Sequence, residues 1–223
     1  MNIAGIQKTS TVDFPGLLAA VVFTAGCNYN CFYCHNRHLL GDSPLLDNGE
    51  ILRFLEKRAG MLDGIVVSGG EPTLQKDLHE FLSYAKELGY AVKLDTNGSN
   101  PKAVDRLLKE NLLDYVALDY KAPFDHYEEL CGLPGDDVKR TAELLLHAGI
   151  QFEMRTTMIP QISQQDLRKM ADALPPLPAY LLQLYRPQPG DTKHLKTLLP
   201  YTPSEIARLA DSIRDAQPNV GVR

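Results

Sequence analysis

Residues 64–98 read GIVVSGGEPTLQKDLHEFLSYAKELGYAVKLDTNG. GIVVS (64–68) and AVKLD (91–95) are short, rich in β-branched residues and nearly continuous in apolar character, as strands covered on both faces are. DLHEFLSYAKELG between them repeats its apolar positions with helical spacing. The stretch therefore reads as strand, helix, strand.

The same alternation runs outward in both directions. Further strand-like segments are LLAAVVF (17–23), YVALD (115–119), FEMRTTM (152–158) and YLLQLY (180–185). Helical stretches separate them: ILRFLEKRAG; PKAVDRLLKE, opened by Asn100 as N-cap and Pro101 in the first turn; VKRTAELLLHA, followed by Gly149; a start at Ser163 and Asp166; and TPSE (202–205), a capping box with proline at the first helical position. Strand precedes helix six times, which predicts an α/β fold with a parallel sheet and right-handed crossovers. Strand order is invisible in one sequence, so an open doubly wound sheet stands beside a curled, incomplete barrel. With no internal repeat, low-complexity tract or linker, residues 1–223 are expected to form a single domain, with PPLP (175–178) a tight lead-in to the last strand.

Apolar residues make up 44% of the chain and charged residues 23%, ordinary values for a soluble globular protein. The net charge is −5 and the basic residues are scattered, so no nucleic-acid footprint is expected. MNIAGIQKTSTVDF lacks the regions of a signal peptide, and LLAAVVF is too short to cross a bilayer, so no membrane partner and a cytoplasmic location are expected. Thiols stay reduced there, and clustered cysteines point to metal or catalysis.

In parallel α/β folds the chemistry gathers at the carboxyl ends of the strands. The cysteine loop follows the first of the six strands, SGGEPT (68–73) the second, DTNG (95–98) the third and DYK (119–121) the fourth; Tyr185 and Arg186 close the sixth. Gly69 and Gly70 allow a close backbone approach, and Glu71 supplies a fixed negative acceptor. In isolation GGE is a turn before a helix and Asn-Gly a common hairpin turn. Their position on the rim that carries the cysteines changes that balance and favours a barrel.

CNYNCFYCHN (27–36) spaces Cys27, Cys31 and Cys34 as C-x3-C-x2-C. One reading is a structural zinc site with His35 as fourth ligand, although adjacent residues seldom both reach one tetrahedral ion. The other is a [4Fe-4S] cluster with thiolates on three irons and the fourth left open. Cys131, in ELCGLPG, has no partner in sequence and reads as a packed free thiol.

CNYNCFYC together with SGGEPT resembles the radical S-adenosylmethionine (SAM) superfamily, over nearly the whole chain. QKTSTVDFPG, YCHN and DTNG are similar to the activating enzymes of glycyl-radical enzymes, above all the anaerobic ribonucleoside-triphosphate reductase activating group; pyruvate formate-lyase activating enzymes share YCHN and DTNG. The resemblance implies a partial (β/α)6 barrel with parallel strands, one [4Fe-4S] cluster on Cys27, Cys31 and Cys34, and SAM on the open iron. Flavodoxin or ferredoxin would donate an electron, SAM would be cleaved to a 5′-deoxyadenosyl radical, and that radical would take a hydrogen atom from a glycine of a partner enzyme. Gly69, Gly70 and Glu71 would receive the methionine end of SAM, Glu71 by accepting from its amino group. Asp95, Thr96, Asp119 and Lys121 would line the SAM pocket, with the two aspartates holding a monovalent cation, and Arg155 would occupy an interior strand position. Tyr29 and Tyr33 would pack around the cluster and adenine, with His35 near enough to tune the cluster. With only Cys131 to spare, a second four-cysteine cluster is not expected. The competing readings are a radical SAM enzyme for a small molecule, of 7-carboxy-7-deazaguanine synthase type, and a non-catalytic zinc module.

Overall fold

The computed structural model describes residues 1–41, 43–187, 195 and 198–223. Eight strands form one sheet in sequence order: β1 Ile3–Ser10, β2 Ala19–Thr24, β3 Gly64–Gly69, β4 Ala91–Thr96, β5 Tyr115–Asp119, β6 Gln151–Met158, β7 Tyr180–Leu184 and β8 Val220–Val222. The helices with described bounds are α1 Asn48–Arg58, α2 Leu78–Glu87, α3 Pro101–Lys109, α4 Tyr127–Cys131, α5 Asp136–His147, α6 Gln164–Asp172 and α7 Pro203–Ser212. All six strands expected from the sequence are present, and β2 through β8 run parallel. The all-parallel expectation needs one correction: β1 pairs antiparallel with β2. An antiparallel neighbour needs no crossover helix, and the connection through residues 11–18 is short enough for one.

Helix ends follow local chemistry. Asn100 Oδ1 accepts from Ala103 N, and Ser163 with Asp166 and Thr202 with Glu205 form complete capping boxes. Among the described residues no helix is long and apolar enough to cross a membrane.

Strand order never reverses, so each right-handed crossover returns its helix to the same face and the doubly wound alternative falls. That helix-covered face holds the main core, including Val22, Val67, Leu94, Leu118 and Met154, each fully buried. The alternate residues of the same strands point to the other, concave face. At its lower end Phe14, from the β1–β2 connection, packs with Ala19, Val21, Val66 and Tyr115. Lys93 Nζ, on the central strand β4, donates to Asp13 O at 2.7 Å, and Arg223 Nη2, just after the end strand β8, to Val12 O at 2.8 Å, so distant parts of the sheet hold this connection. Above Phe14 the concave face turns polar.

Candidate active site

One cavity of about 430 Å³ opens at the carboxyl ends of the strands; residues from β2 to β7, including Phe23, Ser68, Asp95, Asp119, Arg155 and Gln183, reach it. Sheet curvature is what brings them together. The same wall includes Cys27, Cys31, Cys34, Gly69, Gly70, Thr96 and Lys121. A larger depression between α3 and α5 holds no cysteine and lies outside this rim.

The glycines of GGE have a packing reason that the sequence did not reveal. Gly69 has φ of +118°, and a Cβ there would stand 2.3 Å from Thr24 N; at Gly70 it would stand 1.9 Å from Gly26 O. The GGE turn lies backbone to backbone against the start of the cysteine loop, through Gly70 N to Thr24 O at 2.9 Å and Glu71 N to Gly26 O at 2.8 Å. Asn36 Nδ2, at the far end of that loop, donates to Gly69 O at 3.3 Å. Two loops distant in sequence are thereby held as one.

Glu71 sits differently from its expected place. It is fully buried, and its side chain does not line the cavity. Oε1 accepts from Thr73 N, Thr73 Oγ1 and Thr96 Oγ1 at 3.0, 2.6 and 2.8 Å, while Oε2 accepts from Asn97 N at 2.7 Å. Burial pushes its carboxyl upward, against the pull of those donors. With four donors on it, the carboxylate braces DTNG against GGE and is not placed to receive an amino group.

Asp95, Asp119, Lys121 and Arg155 meet in one lattice. Arg155 Nη1 donates to Asp95 Oδ2 at 3.1 Å, and its Nε and Nη2 to Asp119 Oδ1 at 3.1 and 2.9 Å. Lys121 Nζ lies 3.0 Å from Asp119 Oδ2, and Lys93 Nζ 2.9 Å from Asp95 Oδ1 and 3.8 Å from Glu153 Oε1. Burial alone would raise both aspartates; Lys121 and Arg155 bring Asp119 down to about 2, and Arg155 and Lys93 lower Asp95. Lys121, disfavoured as a cation by burial, is held charged chiefly by Asp119. Three carboxylates meet three cations. The guanidinium thus stands between the aspartates where a monovalent cation was expected, and this site supplies its own positive charge.

Three cysteine thiols on one wall suit a cluster whose irons each take one thiolate. Among the described residues no three of His, Cys, Asp and Glu converge as one metal ion requires, so the zinc reading with His35 does not fit; that ring is exposed and sets its edge toward Tyr185. Burial raises Cys27 to about 11 and raises Cys34, whereas the neighbouring Cys131 thiol lowers Cys31. Tyr29 and Tyr33 are buried beside the loop, and among the described residues neither hydroxyl meets a partner in hydrogen-bond geometry.

Asn97 on this wall, and Lys93 behind it, carry no signal that the sequence expectations above used. Asn97, taken there as part of a turn, donates through Nδ2 to Asn28 Oδ1 at 3.0 Å and lies 3.6 Å from Cys27 Sγ. Lys93 was missed although a signal was present: it lies two residues before Asp95 on one strand and must share its face.

The family model of the radical SAM superfamily matches residues 21–174. A Methanocaldococcus jannaschii protein, named as a candidate glycyl-radical enzyme activating enzyme, is 35% identical over 230 residues, covering 99% of this chain and 95% of that one. The pyruvate formate-lyase-activating enzyme of Clostridium pasteurianum is 31% identical over 187 residues, 78% of this chain and 76% of its own. Among solved structures, Streptococcus suis SuiB superposes with a TM-score of 0.71 at 18% identity, over 91% of this chain and 48% of that one, a likeness of fold alone.

Proposed function

Because the chain belongs to the radical SAM superfamily, we propose that it activates a glycyl-radical enzyme, with anaerobic ribonucleoside-triphosphate reductase as the protein substrate. The observation that carries this reading is the likeness over 99% of the chain to a relative named as such an activating enzyme. Pyruvate formate-lyase is the second candidate substrate, favoured by the likeness to its activating enzymes. Flavodoxin or ferredoxin is the electron donor in this reading, and the cytoplasm its location.

The protein is a radical SAM enzyme that uses a [4Fe-4S] cluster and SAM. When bound, the cluster supplies the electron that splits the SAM sulfonium and so starts radical chemistry on the substrate glycine. In our reading Cys27, Cys31 and Cys34 hold it. Gly69 and Gly70 keep the floor of the SAM pocket tight against the cysteine loop, since any side chain there would wedge the two apart. Lys121, kept protonated by Asp119, offers its ammonium to the carboxylate of SAM. Asp95 and Thr96 are fixed by Arg155 and Glu71, so the pocket wall is preorganised before a ligand arrives. Tyr29, Tyr33 and Phe23 exclude water from the same chamber.

The test is direct. Anaerobically reconstituted protein, SAM and a reductant are mixed in turn with anaerobic ribonucleotide reductase and pyruvate formate-lyase. A glycyl-radical doublet in electron paramagnetic resonance on the reductase is the expected result. No doublet on either enzyme, with 5′-deoxyadenosine formed only when a small metabolite is added, overturns the proposal in favour of a small-molecule enzyme.

A further inference from the structure

We infer that the side-chain amide of Asn97 donates a hydrogen bond to the sulfur of Cys27 and thereby raises the reduction potential of the cluster that Cys27 holds. The inference rests on the reading of Cys27 as a cluster ligand.

Asn97 Nδ2 lies 3.6 Å from Cys27 Sγ and 3.0 Å from Asn28 Oδ1. The other end of the amide settles which way it points: Oδ1 accepts from Ser99 N at 2.9 Å, and a backbone N–H can only donate. The atom turned toward Cys27 is therefore the nitrogen. It carries two hydrogens, one for the Asn28 carbonyl and one for the sulfur. Asn28 is tied down in turn, since its Nδ2 donates to Ser99 Oγ at 2.9 Å.

The turn that carries Asn97 has little freedom. Asn97 is 4% exposed, and its backbone N donates to Glu71 Oε2 at 2.7 Å. Thr141 Oγ1 donates to Gly98 O at 2.7 Å, and Gly98 has φ of +75°, where a Cβ would stand 2.5 Å from Leu118 Cδ1. The donor is thus fixed in place by the protein itself, and the brace that Glu71 forms between GGE and DTNG reaches as far as a ligating sulfur. Cys27 Sγ also receives the Tyr29 backbone N–H at 3.4 Å, so donors from two separate loops converge on it. A donor on a ligating sulfur withdraws charge from it and favours the more negative, reduced cluster.

Two measurements on the anaerobically reconstituted full chain test this. When asparagine is isotopically labelled at the side-chain amide nitrogen alone, pulsed electron paramagnetic resonance of the reduced wild-type cluster should show a coupling to that nitrogen. The coupling should vanish in Asn97→Asp, which keeps an acceptor for Ser99 N but carries no amide. Redox titration should place Asn97→Ala at a more negative midpoint. At a fixed poise its ratio of reduced to oxidised cluster should fall about fivefold, equivalent to about 40 mV for one electron. Asn97→Asp, which sets a carboxylate against the sulfur, should lie lower still. The inference is overturned by a wild-type spectrum without the coupling, by a coupling that survives in Asn97→Asp, by an unchanged midpoint in Asn97→Ala, or by loss of iron from both variants. Cys27→Ala separates the two failures: if it retains a full complement of iron, the reading of Cys27 as a ligand is what has failed.

Discussion

Arg155 grips Asp119 through two nitrogens, Nε at 3.1 Å and Nη2 at 2.9 Å, both on the same carboxylate oxygen. The two residues are direct neighbours across β5 and β6, and the third guanidinium nitrogen reaches over to Asp95 on β4. A planar fork with several donors makes this bridge possible, and an ammonium has no equivalent geometry.

Replacing Arg155 by Gln should therefore leave two partly buried carboxylates short of a cation. A loss of about 3–5 kcal/mol in unfolding free energy is expected by urea denaturation, as for other broken buried pairs. Arg155→Lys should recover part of that stability, yet its SAM affinity by equilibrium dialysis should stay at least about tenfold weaker, since one ammonium holds only one aspartate in place.

Acid should undo the same lattice. The folded values of Asp119, about 2, and of Asp95 lie below the unfolded carboxyl value of about 4. Their contribution to stability is complete above about pH 4 and is lost as pH falls through the folded values. Denaturation midpoints of the cluster-free protein should hold steady from neutral pH to about 5 and then drop toward pH 2. Asp119→Asn, less stable at neutral pH, should show a drop smaller by on the order of 1–2 kcal/mol, allowing for the solvent that reaches this side chain.

Gly70→Ala places a methyl group 1.9 Å from Gly26 O, and backbone on both sides must move. A destabilisation of at least about 2–3 kcal/mol is expected, together with poor retention of iron and sulfide, because the displaced partner is the cysteine loop. Ala at Gly132 is the matching control: it meets no atom within 4 Å there, so only the strain of a positive φ should appear, about 1 kcal/mol.

Glu71→Gln is nearly isosteric but turns an acceptor into a donor. One end of the amide must face an N–H or O–H that the carboxylate now satisfies. About 2–4 kcal/mol of stability should be lost, with the DTNG turn loosened. Amide hydrogen exchange at Asn97 and Gly98 should rise in the variant; unchanged exchange there would show that Glu71 does not brace the turn.

Much of this architecture was legible because strands buried on both faces and helices punctuated by Asn100, Ser163 and Thr202 leave strong local signals. β1 was hidden since IAGIQKTS is an edge strand with Gln7, Lys8 and Thr9 exposed, and β8 is only three residues long. The rim residues were located by strand ends alone, yet their roles were not. Glu71 was assigned to a ligand, whereas its four hydrogen bonds come from protein donors, and Gly70, which does line the cavity, also allows the close approach of two loops, a tertiary contact with no trace in local sequence. Asn97 was masked by the ubiquity of Asn-Gly turns, and the proximity of Cys131 to Cys31 depends on where α4 docks.

Phe14 and the stitches from Lys93 and Arg223 leave the chamber with a blind end. In the proposed reading, a reactive fragment formed above that floor would face the carboxyl-end rim, the side that a polypeptide substrate would fill, so futile consumption of SAM should slacken when the partner docks.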